Sequence, residues 1–227
     1  MNTEKRLPLK AVVFDMDGLM IDSECYVKRS WDKAGEELGY GPLGHHMADT
    51  LGMNRKRRES YFLSCYGKDF PFSLFLETYR KYYYKETALS GVPLKPGLKE
   101  LLNYLNENHY LAAVASSSGP EHVNGNLKRH QLQSCFQAVI TGNMITHSKP
   151  EPDIYLEACR QLQVPPAQAL ALEDAPNGII AASRAGLYPV MVPDLAQPTD
   201  ALKPLLFRVC QSLAEIPKLL ETCFYPV

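Results

Sequence analysis

The sequence predicts an α/β protein: a doubly wound parallel sheet with an all-helical domain inserted near its start. Three observations predict it. A short apolar run, Ala11 to Phe14, ends in the acidic turn Asp15-Met16-Asp17-Gly18. No strand pattern follows between about Asp22 and Ser90. From Leu98 to Val192, helical and strand patterns then alternate, as in βα units whose strands run parallel.

The opening run reads as a buried strand, being short, apolar and rich in β-branched residues. It should stop at the first charge, because an unpaired buried carboxylate is expensive. Gly18 then permits a sharp turn. Two carboxylates this close repel unless positive charge lies beside them, and hard divalent cations prefer oxygen ligands. An EF-hand loop also begins Asp-x-Asp, but its glycine comes sixth and helices flank it. Here Gly18 follows Asp17 directly, after a strand.

The pattern then turns helical. Val27, Trp31, Ala34 and Leu38 recur at helical spacing, Asp22 or Ser23 can cap the start, and Gly39-Tyr40-Gly41-Pro42 stops it. Further helices are expected around Arg57 to Tyr66 and Pro71 to Thr87. The second puts Phe72, Phe75, Tyr79 and Tyr82 on a core face; Tyr83 and Tyr84 are weighed as groove-lining. Gly91 to Gly97 is the return linker. The alternation that follows reads helix Leu98 to Asn108, strand Leu111 to Ser116, helix Pro120 to His130 and strand Ala138 to Thr141. It continues with helix Pro152 to Gln163, strand Ala169 to Glu173, helix Asn177 to Ala185 and strand Pro189 to Val192. Ser212-x-x-Glu215 reads as a capping box opening a last helix. The expected division is a core of residues 1–20 and 93–227 and a helical domain of residues 21–92.

Composition narrows the class. The 227 residues are 45% hydrophobic, enough for a full core without staples. Lys and Arg number 24 against 25 Asp and Glu, so no basic field exists for nucleic acid or an anionic membrane. The one basic run, Arg55 to Arg58, reads as a solvated helix start or a local anion-attracting patch. Six scattered cysteines without C-x-x-C suggest reduced thiols in the cytoplasm. Met1 to Lys10 is polar and charged, and the apolar run after it is too short for a signal peptide or membrane span. A monomer is expected.

Open α/β sheets bind ligands at the carboxyl ends of their strands. Those ends carry Asp15 and Asp17, then Ser116, Ser117 and Ser118, then Ser148-Lys149-Pro150, then Glu173-Asp174. Four carboxylates need a cation, while hydroxyls and a lysine suit a tetrahedral anion. Metal plus phosphate fits both.

Four motifs stand in order: Phe14-Asp15-Met16-Asp17-Gly18 through Glu24, Ala115-Ser116-Ser117-Ser118, Ser148-Lys149-Pro150 through Asp153, and Leu172-Glu173-Asp174 through Gly186. With them the chain resembles the haloacid dehalogenase-like phosphotransferases over nearly its whole length. The resemblance is to the helical-cap branch that includes β-phosphoglucomutase and small sugar-phosphate phosphatases. It implies a Rossmann-like core, its first strand central, with a cap spliced in after that strand. It implies Asp15 as nucleophile, forming an aspartyl-phosphate, and Asp17 as general acid and base. Alternation along the extended segment leaves Met16 between two acids that face the same cleft. Mg²⁺ would be held by the Asp15 carboxylate, the Asp17 carbonyl and Asp174, with Glu173 binding directly or through water. Ser116, and by extension Ser117, would hold phosphate oxygens, and Lys149 would add fixed positive charge. Arg55 sits near the place of a phosphate-gripping cap arginine.

Other polar residues read blandly. His45 and His46 lie in a glycine-rich turn and are expected to be solvated. His109, His122 and His130 are placed on helices without an acidic partner, as structural residues. His147, two residues before Lys149, is left outside the chemistry though within reach of it. Ser117 and Ser118 serve equally as strand end and helix cap.

The expected activity is Mg²⁺-dependent hydrolysis of a small phosphorylated metabolite, a sugar or polyol phosphate. A β-phosphoglucomutase-like phosphomutase is the alternative, and a non-enzymatic receiver-like phospho-acceptor the remote one. Hydrolysis is favoured because Ser23 and Val27 occupy the places where the sugar phosphomutases carry a threonine and a histidine. Single-pass linkers at Gly18-Leu19-Met20 and Gly91-Val92-Pro93 suggest that the helical insert is a mobile lid. The loop Gly52-Met53-Asn54-Arg55 carries no readable substrate code.

Overall fold

The structure, a computed structural model, describes residues 6–50, 53, 55–88 and 91–227. The chain forms two compact units, Met1–Ile21 with Leu94–Val227, and Asp22–Pro93.

The first unit is a six-stranded sheet in the order β4-β3-β2-β5-β6-β7, every neighbouring pair parallel. Its strands are β2 (Ala11–Phe14), β3 (Leu111–Ser116), β4 (Ala138–Thr141), β5 (Ala169–Glu173), β6 (Tyr188–Met191) and β7 (Arg208–Val209). Helices α5 (Leu98–Glu107), α6 (Pro120–Arg129), α7 (Asp153–Leu162), α8 (Pro176–Ala185) and α9 (Ile216–Cys223) complete it. Strands β2, β3 and β5 are almost wholly buried, as near-continuous apolar runs in a parallel sheet must be. On one face Val13, Ala113, Ala115 and Ala171 pack with Ile154, Tyr155 and Ala158 of α7 and Ala181, Ala182 and Ala185 of α8. The row of alanines lets these helices lie close to the strands.

A second, two-stranded parallel sheet joins β1 (Leu7–Leu9) to β8 (Phe224–Pro226). The stretch read as polar and charged thus contributes a strand over its described residues Leu7–Leu9. Leu7 and Leu9 flank Pro8, and proline is tolerated on such an edge. The capping box at Ser212 does not form. Ser212 precedes a 3-10 turn, Leu213–Glu215, without a side-chain cap, and the Glu215 N–H bonds the Ser212 carbonyl at 3.2 Å.

The second unit contains α1 (Glu24–Glu37), α2 (Met47–Thr50), α3 (Arg55–Tyr66) and α4 (Phe72–Thr87), with no strand among its described residues. Ser23 is the N-cap of α1 but makes no side-chain cap bond. Trp31, Phe62, Phe70, Phe72 and Phe75 form the core, with Val27, Tyr79 and Tyr82 packed against it. His46 is buried here, not solvated: its ring nitrogens lie 2.8 Å from the Tyr61 hydroxyl and 2.6 Å from that of Tyr66. Burial holds its pKa below the ordinary histidine value. The tyrosines that receive it lie on α3, and the sequence pattern does not pair them with the turn. Tyr83 is buried and Tyr84 exposed, so they do not line one groove together. Gly52, Asn54 and Ser90 lie outside the described residues. No helix is long and apolar enough to cross a membrane among the described residues.

Phe62 is fully buried, with ring centroids 5.6 Å from Trp31 and 5.1 Å from Phe75. Phe62→Ala should cost the helical unit about 3–5 kcal/mol. Urea denaturation read by the fluorescence of Trp31, the chain's one tryptophan, checks this. A loss below about 1 kcal/mol would contradict the packing.

Candidate active site

The register of the sheet builds the site. Phe14 pairs with Leu172 of β5 and Val114 of β3. The next residues, Asp15, Glu173 and Ala115, therefore emerge together at the carboxyl edge. The Asp15 N–H still bonds the Leu172 carbonyl at 3.0 Å, which fixes its backbone. Gly18, with φ +85°, turns the chain immediately afterwards.

Lys149 reaches this edge from the loop between β4 and α7. Its Nζ donates to Asp15 Oδ1 at 2.5 Å, Glu173 Oε1 at 2.6 Å and the Ala115 carbonyl at 3.0 Å. The Tyr155 hydroxyl of α7 also donates to Glu173 Oε1. Gly178 of α8 completes the enclosure. A Cβ there would lie 1.9 Å from the Glu173 carboxylate, so only glycine lets the helix pass.

These groups are buried, and burial sets their acidities. It pushes the Asp15 carboxyl up, Lys149 pulls it back and Glu173 raises it again, leaving it at about 7. Burial disfavours the Lys149 ammonium, but Asp15 and Glu173 overcome this and raise its pKa. Burial and Glu173 raise the Tyr155 phenol well above its ordinary value, so it stays a donor. One shared ammonium beside several acids leaves the site electrostatically short of positive charge.

Carboxylate oxygens of Asp15, Glu173 and Asp174 lie within 4.8 Å of one another, and all three residues are buried. An all-oxygen donor set of this charge suits a hard divalent cation. Glu173 Oε1 already accepts two hydrogen bonds, so a direct metal contact would fall to Oε2. The Asp17 carboxylate is outside this cluster and is engaged elsewhere, leaving its carbonyl as the candidate ligand.

Asp17 turns toward α6. Ser118 Oγ–H donates to Asp17 Oδ2 at 2.7 Å, and His122 Nε2 lies 2.8 Å from Asp17 Oδ1. This corrects the reading that His122 lacks an acidic partner. Its partner is 105 positions away in the chain. Burial pulls the His122 pKa down, but the Asp17 charge and hydrogen bond more than reverse this and raise it.

The serines separate by alternation. Ser116 is buried, and its Oγ accepts the Ser118 N–H at 3.1 Å. Ser117 is exposed, and Ser118, two positions from Ser116, is the one that reaches an acid. Neither Ser117 nor Ser118 caps α6; Gly119 is its N-cap. Arg55 belongs to the helical unit, where it is exposed at the first position of α3 and its Nη2 donates to Ser73 Oγ at 3.4 Å. Of its basic neighbours, Arg58 folds over the Trp31 ring at 5.5 Å. His147 stands exposed and pairs with Asp153, Nδ1 to Oδ2 at 3.0 Å.

Residues 12–192 match the family model of the haloacid dehalogenase-like hydrolases. β-Phosphoglucomutase of Bacillus subtilis is 31% identical, over 81% of this chain and 83% of that protein. Hexitol phosphatase B of Escherichia coli is 30% identical, over 81% of this chain and 83% of that protein. The crystal structure of CbbY from Rhodobacter sphaeroides in complex with phosphate superposes with a TM-score of 0.76 at 26% identity. That match covers 92% of this chain and 96% of the other.

Lys149→Met should expose the cost of the acid cluster. Removing one partner of a buried ion pair typically costs about 3–5 kcal/mol. Without the ammonium, folding favours protonated acids, so the variant's deficit should be largest above pH 7 and shrink toward pH 5. Urea denaturation of both proteins in EDTA measures it. A pH-independent or absent deficit would contradict the shared-cation geometry.

Proposed function

We propose that this chain, which belongs to the haloacid dehalogenase-like hydrolases, is a Mg²⁺-dependent phosphatase of small phosphorylated metabolites, sugar or polyol phosphates. The observation that carries this reading is the Asp15–Lys149–Glu173 bridge with Asp174 beside it. It supplies a nucleophile, a fixed cation and an oxygen donor set at one sheet edge.

An Asp15 carboxylate oxygen attacks phosphorus and the ester P–O bond breaks, leaving an aspartyl-phosphate. Asp17 gives its proton to the departing alkoxide. It then takes a proton from water, whose oxygen attacks phosphorus and returns inorganic phosphate and the Asp15 carboxylate. Lys149 holds Asp15 in place and offsets charge on the phosphoryl oxygens. Ser116 and the amides after Asp15 would bind those oxygens, with Ser117 as a further contact. Asp15 and Asp174, the Asp17 carbonyl, and Glu173 directly or through water would hold Mg²⁺. The ion, when bound, offsets the repulsion between Asp15 and the phosphate dianion.

The similarity to both a phosphatase and a mutase leaves phosphomutase as the second reading. Val27 favours hydrolysis. It packs against the aromatic core of the helical unit and carries no exchangeable proton where a mutase histidine is expected. The free cysteines accord with work in the cytoplasm.

Turnover of p-nitrophenyl phosphate in Mg²⁺, lost in EDTA and restored by the ion, is the expected result. Given β-glucose 1-phosphate and a trace of its bisphosphate, the enzyme should release phosphate or stay slow. Full activity after exhaustive chelation would contradict the metal assignment. Rapid isomerisation to glucose 6-phosphate with negligible phosphate release would overturn hydrolysis.

A further inference from the structure

Asp17 is held in a way the aspartyl-phosphate chemistry alone does not require. Both of its carboxylate oxygens have a donor from the segment that follows β3: Ser118 on Oδ2 at 2.7 Å and His122 on Oδ1 at 2.8 Å. Asp17 is only half-buried, just before the turn at Gly18, so burial alone does not fix its side chain. Two donors on two oxygens fix the plane of the carboxyl group.

The donors are themselves anchored. The Ser118 N–H bonds Ser116 Oγ at 3.1 Å, and its carbonyl accepts the Gly142 N–H at 3.0 Å. His122 lies in the first turn of α6, and the Asn126 side chain donates to its carbonyl at 2.9 Å. We infer that Ser118 and His122 are positioning residues that aim Asp17 for proton transfer to the leaving oxygen. The inference rests on the phosphatase reading above.

The chemistry of each donor suits the task. A serine hydroxyl accepts as well as donates. Oδ2 can therefore carry the transferable proton, with Ser118 rotating to receive or release it, while His122 keeps its grip on Oδ1. The proton passes from Oδ2 to the leaving oxygen in the first step. Oδ2 is refilled from the attacking water in the second.

The test is the dependence of kcat/KM on the leaving group, across substituted phenyl phosphates from p-nitrophenyl to phenyl, in saturating Mg²⁺. This parameter reports the first irreversible step, in which the phenol departs. p-Nitrophenolate leaves with little help, whereas phenolate needs the proton. His122→Ala and Ser118→Ala should each lose about tenfold more on phenyl than on p-nitrophenyl phosphate. His122→Gln, whose amide reaches the place of Nε2, should recover much of the difference. Asp17→Asn should give the steepest dependence. If Asp17→Asn is steep but His122→Ala and Ser118→Ala lose equally on every ester, their role is structural and the inference fails alone. If Asp17→Asn itself shows no dependence, Asp17 is not the acid, and the reading beneath the inference fails with it.

Discussion

The site depends on one buried interaction, the Lys149 ammonium shared by Asp15 and Glu173. Two carboxylates brought together at the end of a buried parallel sheet are a liability, because neither keeps its hydration. The fold answers with a lysine from a separate loop, a tyrosine from α7 and a glycine in α8 that makes room for the Glu173 carboxylate. Burial still holds Asp15 near 7. A carboxylate in that condition gains from any further cation, and the neighbouring Asp174 supplies another oxygen for one.

The two acids of the opening motif are handled differently. Asp15 is enclosed and set against a permanent cation. Asp17 is half-exposed and set against a hydroxyl and an imidazole, groups that can exchange protons. A nucleophile needs fixed charge and a proton shuttle needs movable protons, so the two surroundings match the division of labour proposed for this hydrolase. Met16 between them is fully buried, and the Asp17 charge still adds to the rise of the Asp15 pKa.

Much of this was legible in the chain. The strands at residues 111–116, 138–141 and 169–173 were readable to the residue, because a strand buried on both faces must be apolar throughout and must end where polar groups begin. The same logic placed Asp15, Lys149, Glu173 and Asp174 at one edge. His122 and His46 were not legible, since each is defined by partners on other elements, an acid in one case and two tyrosines in the other. The sequence does carry a signal for which of the three serines meets Asp17. Strand alternation extended from Ser116 selects Ser118 over Ser117. The pairing of β1 with β8 joins opposite ends of the chain, and no local pattern announces it.

The central claim is that Asp15 carries the phosphoryl group. Acid quench of the enzyme during turnover of p-nitrophenyl phosphate, followed by peptide mass analysis, tests it most directly. The account predicts an acid-stable, base-labile phosphoryl group on Asp15, absent when Asp15→Asn is treated in the same way. A phosphoryl group on another residue, or undiminished turnover by folded Asp15→Asn, would contradict it.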